Sequence, residues 1–149
     1  MKFTYFRNPK NYAGLLPGRH ECGICGYKDK CFEGESFYGE TVVDAICWKC
    51  LNNGRLEEVG IFANDADVEG LFDQMLTQNP NVPKEQLLAE AKAKINEVEF
   101  RTPPILSWQD WKFPALDGDF CEFVSFTSKE ELNELAENGD GKQFLMEHL

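Results

Sequence analysis

Two short cysteine pairs, Cys22-Gly23-Ile24-Cys25 and Cys47-Trp48-Lys49-Cys50, are the residues of this 149-residue sequence best suited to chemistry. Their spacing is C-x2-C-x21-C-x2-C. Each pair sets two sulfurs on one side of a tight turn, and a hairpin-sized insert can bring the second turn opposite the first. Four thiolates at tetrahedral corners suit a borderline-soft d¹⁰ ion, so the pattern predicts one Zn²⁺ held by Cys22, Cys25, Cys47 and Cys50. Iron fits the same shell. A closed four-cysteine shell leaves no position for water or substrate, so the expected role of the ion is structural. Gly23 and Gly26 let the first turn tighten until backbone N–H groups point at sulfur. Two plainer readings compete. One is four free thiols packed as small apolar residues. The other is a thioredoxin-like redox pair, but that motif uses a single C-x2-C between strand and helix.

Other side chains are weaker candidates. Cys31 follows Cys25 by six residues and reads as a loop thiol or a substitute ligand, and Cys121 reads as a core residue in mid-strand. His20 adjoins the first pair and is a further conceivable ligand; His148 lies near the end of the chain. With only two histidines, neither set beside a nucleophile, a triad has little to build on. Arg101, Trp108, Gln109 and Trp111 form an unusual cluster, because Trp and Arg are the residues recognition pockets favour. Asp119 and Glu122 could complete that pocket as acid or base groups. The alternative places both tryptophans in the core, with Arg101 tying a loop to a carboxylate such as Asp119 and the acidic residues simply solvated.

The elements that must position these groups can be read from periodicity and breakers. Phe3-Thr4-Tyr5-Phe6 suggests a short strand, and Thr41-Val42-Val43-Asp44-Ala45-Ile46 a second, between the cysteine pairs. Val68, Leu71, Phe72, Met75 and Leu76 fall at helical spacing and predict a helix over about 66–78, capped by Asn64 or Asp65. Asn79-Pro80 stops it. Pro83 suits the first turn of a second helix that runs to about 98, with Leu87, Leu88, Ala91 and Ile95 on one face. A short helical turn at 107–111, a strand over Phe120–Phe126 and a helix from the Ser128/Glu131 capping box to about Ala136 complete the series. The tail Phe144-Leu145-Met146 is expected to pack back. The sum is an α+β fold: a small zinc-ribbon-like four-cysteine lobe over about 20–55 on a mixed helix and antiparallel-sheet unit. That unit has helices over about 65–98 and a C-terminal strand and helix over about 119–137. The length favours one domain over 1–149.

Composition bounds the setting. Hydrophobic residues make up 42% and aromatics 13%, which is too apolar for a disordered chain. No run of about 18 apolar residues is present to span a bilayer. The opening residues lack an apolar h-region, which points to the cytoplasm, where cysteines stay reduced. The net charge is −11. Four thiolates around a dication would carry it to about −13. Such a field repels phosphate backbones and anionic membranes and attracts basic partners.

Three blocks carry a resemblance to a known family. They are Cys22-Gly23-Ile24-Cys25-Gly26; Phe37-Tyr38-Gly39 leading to Ala45-Ile46-Cys47-Trp48-Lys49-Cys50-Leu51-Asn52-Asn53-Gly54 and Phe62-Ala63-Asn64-Asp65; and Glu97-Val98-Glu99-Phe100-Arg101-Thr102-Pro103-Pro104-Ile105-Leu106-Ser107-Trp108-Gln109-Asp110-Trp111 with Gly118-Asp119-Phe120-Cys121-Glu122-Phe123. The chain resembles the CbrC family of bacterial proteins, which are associated with tolerance to colicins. The resemblance implies a fold group and not a reaction. Members often carry a His-Cys pair where this chain has Phe113-Pro114-Ala115-Leu116-Asp117.

Three functions follow as expectations. The first is a zinc-stabilised interaction module with a protein partner, a basic one by charge, in a tolerance or stress role. The second is a hydrolase built on Arg101, the tryptophans, Asp119 and Glu122. The third is nucleic-acid binding through the zinc lobe, favoured by Arg7, Lys10, Arg19, Lys28 and Lys30 near the first pair but opposed by the net charge. Nothing in the sequence sets an oligomeric state.

Overall fold

The computed structural model describes residues 1–106, 112–127 and 143–147. The first cysteine pair lies between two short antiparallel strands, β1 (His20–Glu21) and β2 (Lys28–Asp29). Strand β3 (Cys31–Glu33) then pairs antiparallel with β5 (Ala45–Cys47), setting Cys31 opposite Cys47 and Phe32 opposite Ile46. Between them β4 (Tyr38–Gly39) pairs with β6 (Ile61–Phe62), and helix α1 (Trp48–Asn52) opens directly from β5. The strand expected over 41–46 is thus confined to its last residues. The reason is the partner: β3 ends at Glu33 and turns into a 3₁₀ segment at Gly34–Ser36, so the contact stops at Asp44, whose carbonyl accepts the Gly34 N–H at 2.9 Å, and Val42 is 93% exposed. Gly34 permits that turn because a Cβ there would collide with the Val43 carbonyl oxygen.

Helices α2 (Val68–Gln78) and α3 (Lys84–Phe100) pack on each other, as their periodicity predicts. The cap of α2 is Asp67, whose Oδ1 accepts the Gly70 N–H at 3.1 Å, and not Asn64 or Asp65. Leu87, Ala91 and Val98 are buried, whereas Leu88 remains 43% exposed beside Ala91 and Ile95 along the groove with α2. Residues expected as one strand over 120–126 divide at Cys121, whose N–H bonds to the Pro114 carbonyl at 2.9 Å. A hairpin of β7 (Ala115–Leu116) and β8 (Asp119–Phe120) precedes the break, and β9 (Glu122–Thr127) follows it. The hairpin turn is Asp117-Gly118, both at positive φ (55° and 77°), which matches the twist of paired strands. The tail does return, as β10 (Gln143–Glu147), pairing parallel with β9. On its other side β9 meets the N-terminal segment: Phe123 N–H bonds to the Tyr5 carbonyl at 2.8 Å, and Arg7 N–H to the Phe123 carbonyl at 2.9 Å. Phe3 and Phe6 themselves form only isolated bridges. The turn expected at 107–111 and the helix expected from Ser128 lie outside the described residues.

Among the described residues every sheet has two strands, so packing and not ladder length holds the chain together. One buried cluster extends from Cys22, Cys31 and Phe32 through Phe6, Tyr12 and Phe123 to Leu71, Leu87 and Val98. Buried polar groups are satisfied within it. Asn64 Nδ2 donates to the carbonyls of Val98, Thr102 and Pro103, and its Oδ1 accepts the Ile105 N–H at 2.9 Å. Thr102 Oγ1 donates to the Glu97 carbonyl at 2.7 Å and closes α3.

Two phenols are also engaged. Tyr5 donates to Asp119 Oδ1 at 2.6 Å; Tyr12 donates to the Pro104 carbonyl and accepts the Leu106 N–H. Burial, and for Tyr5 the Asp119 carboxylate, raises both phenols above the ordinary value of 10.0. A phenol held neutral in the fold but free to ionise when unfolded costs stability as pH rises. Stability is therefore expected to fall from about pH 10 upward, and the Tyr5→Phe/Tyr12→Phe double variant to flatten that slope. Denaturant midpoints across about pH 9–11 measure it, and an equal slope in the double variant would refute it.

Candidate metal centre

The sulfurs of Cys22, Cys25, Cys47 and Cys50 all lie within 4.8 Å of one another. Cys25 and Cys47 Sγ are 3.8 Å apart. Bonds of about 2.3 Å at tetrahedral angles would set ligand sulfurs about 3.8 Å apart, so the cluster has the dimensions of a four-thiolate metal site. None of the four cysteines is joined in a disulfide. Cys22, Cys47 and Cys50 are buried and Cys25 is half-buried.

Local structure explains how the sequence brings them together. In the first pair Gly26 adopts φ +77°, and its N–H bonds to the Cys22 carbonyl at 2.9 Å, closing the turn. Gly23 N–H bonds to the Ala45 carbonyl at 2.8 Å, which anchors this turn to β5 and so to the second pair. The second pair is not a mirror of the first. Cys47 ends β5 and is the N-cap of α1, its sulfur accepting the Cys50 N–H at 3.4 Å, so two ligands sit on the first turn of a helix. Cys22 Sγ accepts the N–H groups of Ile24 and Cys47, each at 3.3 Å. Arg55 Nη1 lies 3.6 Å from Cys50 Sγ, a cation beside a centre that would carry excess negative charge, while its other guanidinium nitrogens hold Glu58.

The electrostatics fit thiolates competing for stabilisation. Burial opposes ionisation of Cys22, but N–H groups from Cys47, Cys25 and Ile24 outweigh it and bring its pKa to about 7. Burial and the neighbouring sulfurs push Cys47 and Cys50 up. Four sulfurs this close cannot all ionise unaided; a cation among them lets them do so.

The remaining candidates are placed as follows. Cys31 is buried and its Sγ donates to the carbonyls of His20 and Asp29, while burial and the nearby cysteines raise its pKa to about 11; it behaves as a protonated core thiol. Cys121 is buried between β8 and β9. His20 Nε2 donates to the Pro17 carbonyl at 2.8 Å. Arg101 follows α3 and lies over Gly54, where a Cβ would come 2.8 Å from its Nε. Asp119 accepts from Tyr5 and lies 3.9 Å from Lys94 Nζ, and Glu122 pairs with Arg7. Among the described residues no hydrogen bond or ion pair joins Arg101 to Asp119 or Glu122. Trp108, Gln109 and Trp111 lie outside the described residues.

An α+β scaffold carrying four converging sulfurs defines a protein with a cysteine lobe able to hold a metal ion. The chain belongs to the uncharacterised protein family UPF0167, whose model matches residues 1–148. No solved structure matches it.

Proposed function

We propose that the chain is a zinc-stabilised interaction module whose acidic surface meets a basic protein partner. The observation that carries the metal half is the set of four sulfurs within 4.8 Å, each pair fixed by its own turn. The charge of −11 supports the partner half, and the CbrC resemblance supports a role in tolerance or stress. Zinc is preferred because a closed thiolate shell suits an ion with no redox demand. Separate partners for Asp119 and Glu122 give a hydrolase reading little support.

Metal analysis of the natively purified chain tests the proposal, with one zinc per chain expected. A thiol-modifying reagent should release that zinc into a colorimetric chelator in a single step. Visible absorption from bound iron would reassign the ion. A metal-free chain with unchanged circular dichroism would overturn the reading.

A further inference from the structure

A cavity of about 430 Å³ opens beside β4 and β6, outside the cysteine cluster. One wall is the Tyr38–Phe62 pair, stacked with ring centroids 5.4 Å apart and planes 27° from parallel. The stack follows from backbone register, since Tyr38 is directly opposite Phe62. Yet the two residues are 54% and 37% exposed, while most of the described aromatic residues are packed into the core. Ile105 gives the cavity an apolar floor, and Asp65 brings a carboxylate to its edge. Asp65 Oδ1 accepts the Ala66 N–H at 3.0 Å; Oδ2 has no hydrogen bond among the described residues. Burial and the charge of Asp65 hold the nearby Glu99 carboxyl above the ordinary carboxylate range, so negative charge is crowded here. Lys112 also lines the cavity and opposes a cation, which gives the test its sign.

We propose that this cavity takes an arginine side chain of a basic partner, its guanidinium stacked on Tyr38 and bonded to Asp65. A guanidinium is planar, stacks on aromatic faces and offers a fork that a carboxylate accepts; an ammonium does only part of this. The volume is within the range that holds a small ligand. The inference rests on the interaction-module reading and names the chemistry it would recognise.

Titration of the full-length, metal-loaded chain with a hexa-arginine peptide, followed by amide NMR shifts, tests it. Saturable shifts are expected at residues 61–65. Tyr38→Leu and Asp65→Asn should each weaken binding about tenfold. Lys112→Met should tighten it about threefold by removing a repulsive charge. Hexa-lysine should bind more weakly than hexa-arginine. Equal affinity in Tyr38→Leu and Asp65→Asn would overturn the cavity assignment while leaving a basic partner in place. Weaker hexa-arginine binding in Lys112→Met would overturn the cavity assignment, and hexa-glutamate shifting the same amides would mean that the cavity takes an anion. No binding of hexa-arginine at low salt would overturn both this assignment and the basic-partner reading.

Discussion

Cys22→Ser is expected to release the bound ion and unfold the lobe between residues 20 and 55. Cys22 is where the two halves of the site meet, because its sulfur accepts N–H groups from both Ile24 and Cys47. Structural zinc contributes on the order of 10–16 kcal/mol of apparent binding free energy in small peptides, against a whole-domain stability of about 5–15 kcal/mol. Short strands β1, β2, β3 and β5 offer little to set against that loss. The matched control is Cys31→Ser, which keeps a donor for the His20 and Asp29 carbonyls and should retain one ion per chain. Metal stoichiometry and amide exchange over residues 20–55 read both variants. A Cys22→Ser chain with full metal content, or a Cys31→Ser chain with none, would assign the ligands differently.

Asn64→Ala is the second large effect. Its side chain satisfies three carbonyls and one N–H at a position that is 3% exposed on the wall of the cavity beside β4 and β6, where water can replace only part of the network. Stranding those groups is expected to cost about 3–4 kcal/mol of unfolding free energy. Metal content should stay at one ion, because Asn64 lies outside the lobe. Denaturant unfolding of the metal-loaded protein provides the measurement, and a loss below about 1 kcal/mol would mean that the network contributes little.

The cysteine spacing and the two helices were legible in the sequence because each depends on short-range pattern. A C-x2-C turn closes on itself, and α2 and α3 follow from apolar residues three and four apart. What sequence could not show was pairing. Thr41–Val43 has β-branched character but no strand beside it, whereas the second cysteine pair sits on a helix that its five residues hardly announce. Asn64 reads as a cap by residue type, yet tertiary demand turns it inward to hold the chain after α3. The Asp117-Gly118 hairpin did carry a local signal, one that the strongly apolar run after it obscured. The Tyr38–Phe62 stack brings together residues far apart along the chain, and only the β4–β6 register reveals it.

Strand β9 lies between the N-terminal segment and β10, so it is flanked by residues 5–7 on one edge and 143–147 on the other. The first flank lies far upstream of β9 in the chain, and the second lies shortly downstream of it. The cysteine lobe keeps all four candidate ligands inside residues 22–50 and so draws none of them from either flank. The outer edge of β9 is closed only by residues 143–147, so a released chain truncated before residue 143 would keep the cysteine lobe and leave that edge of β9 unpaired.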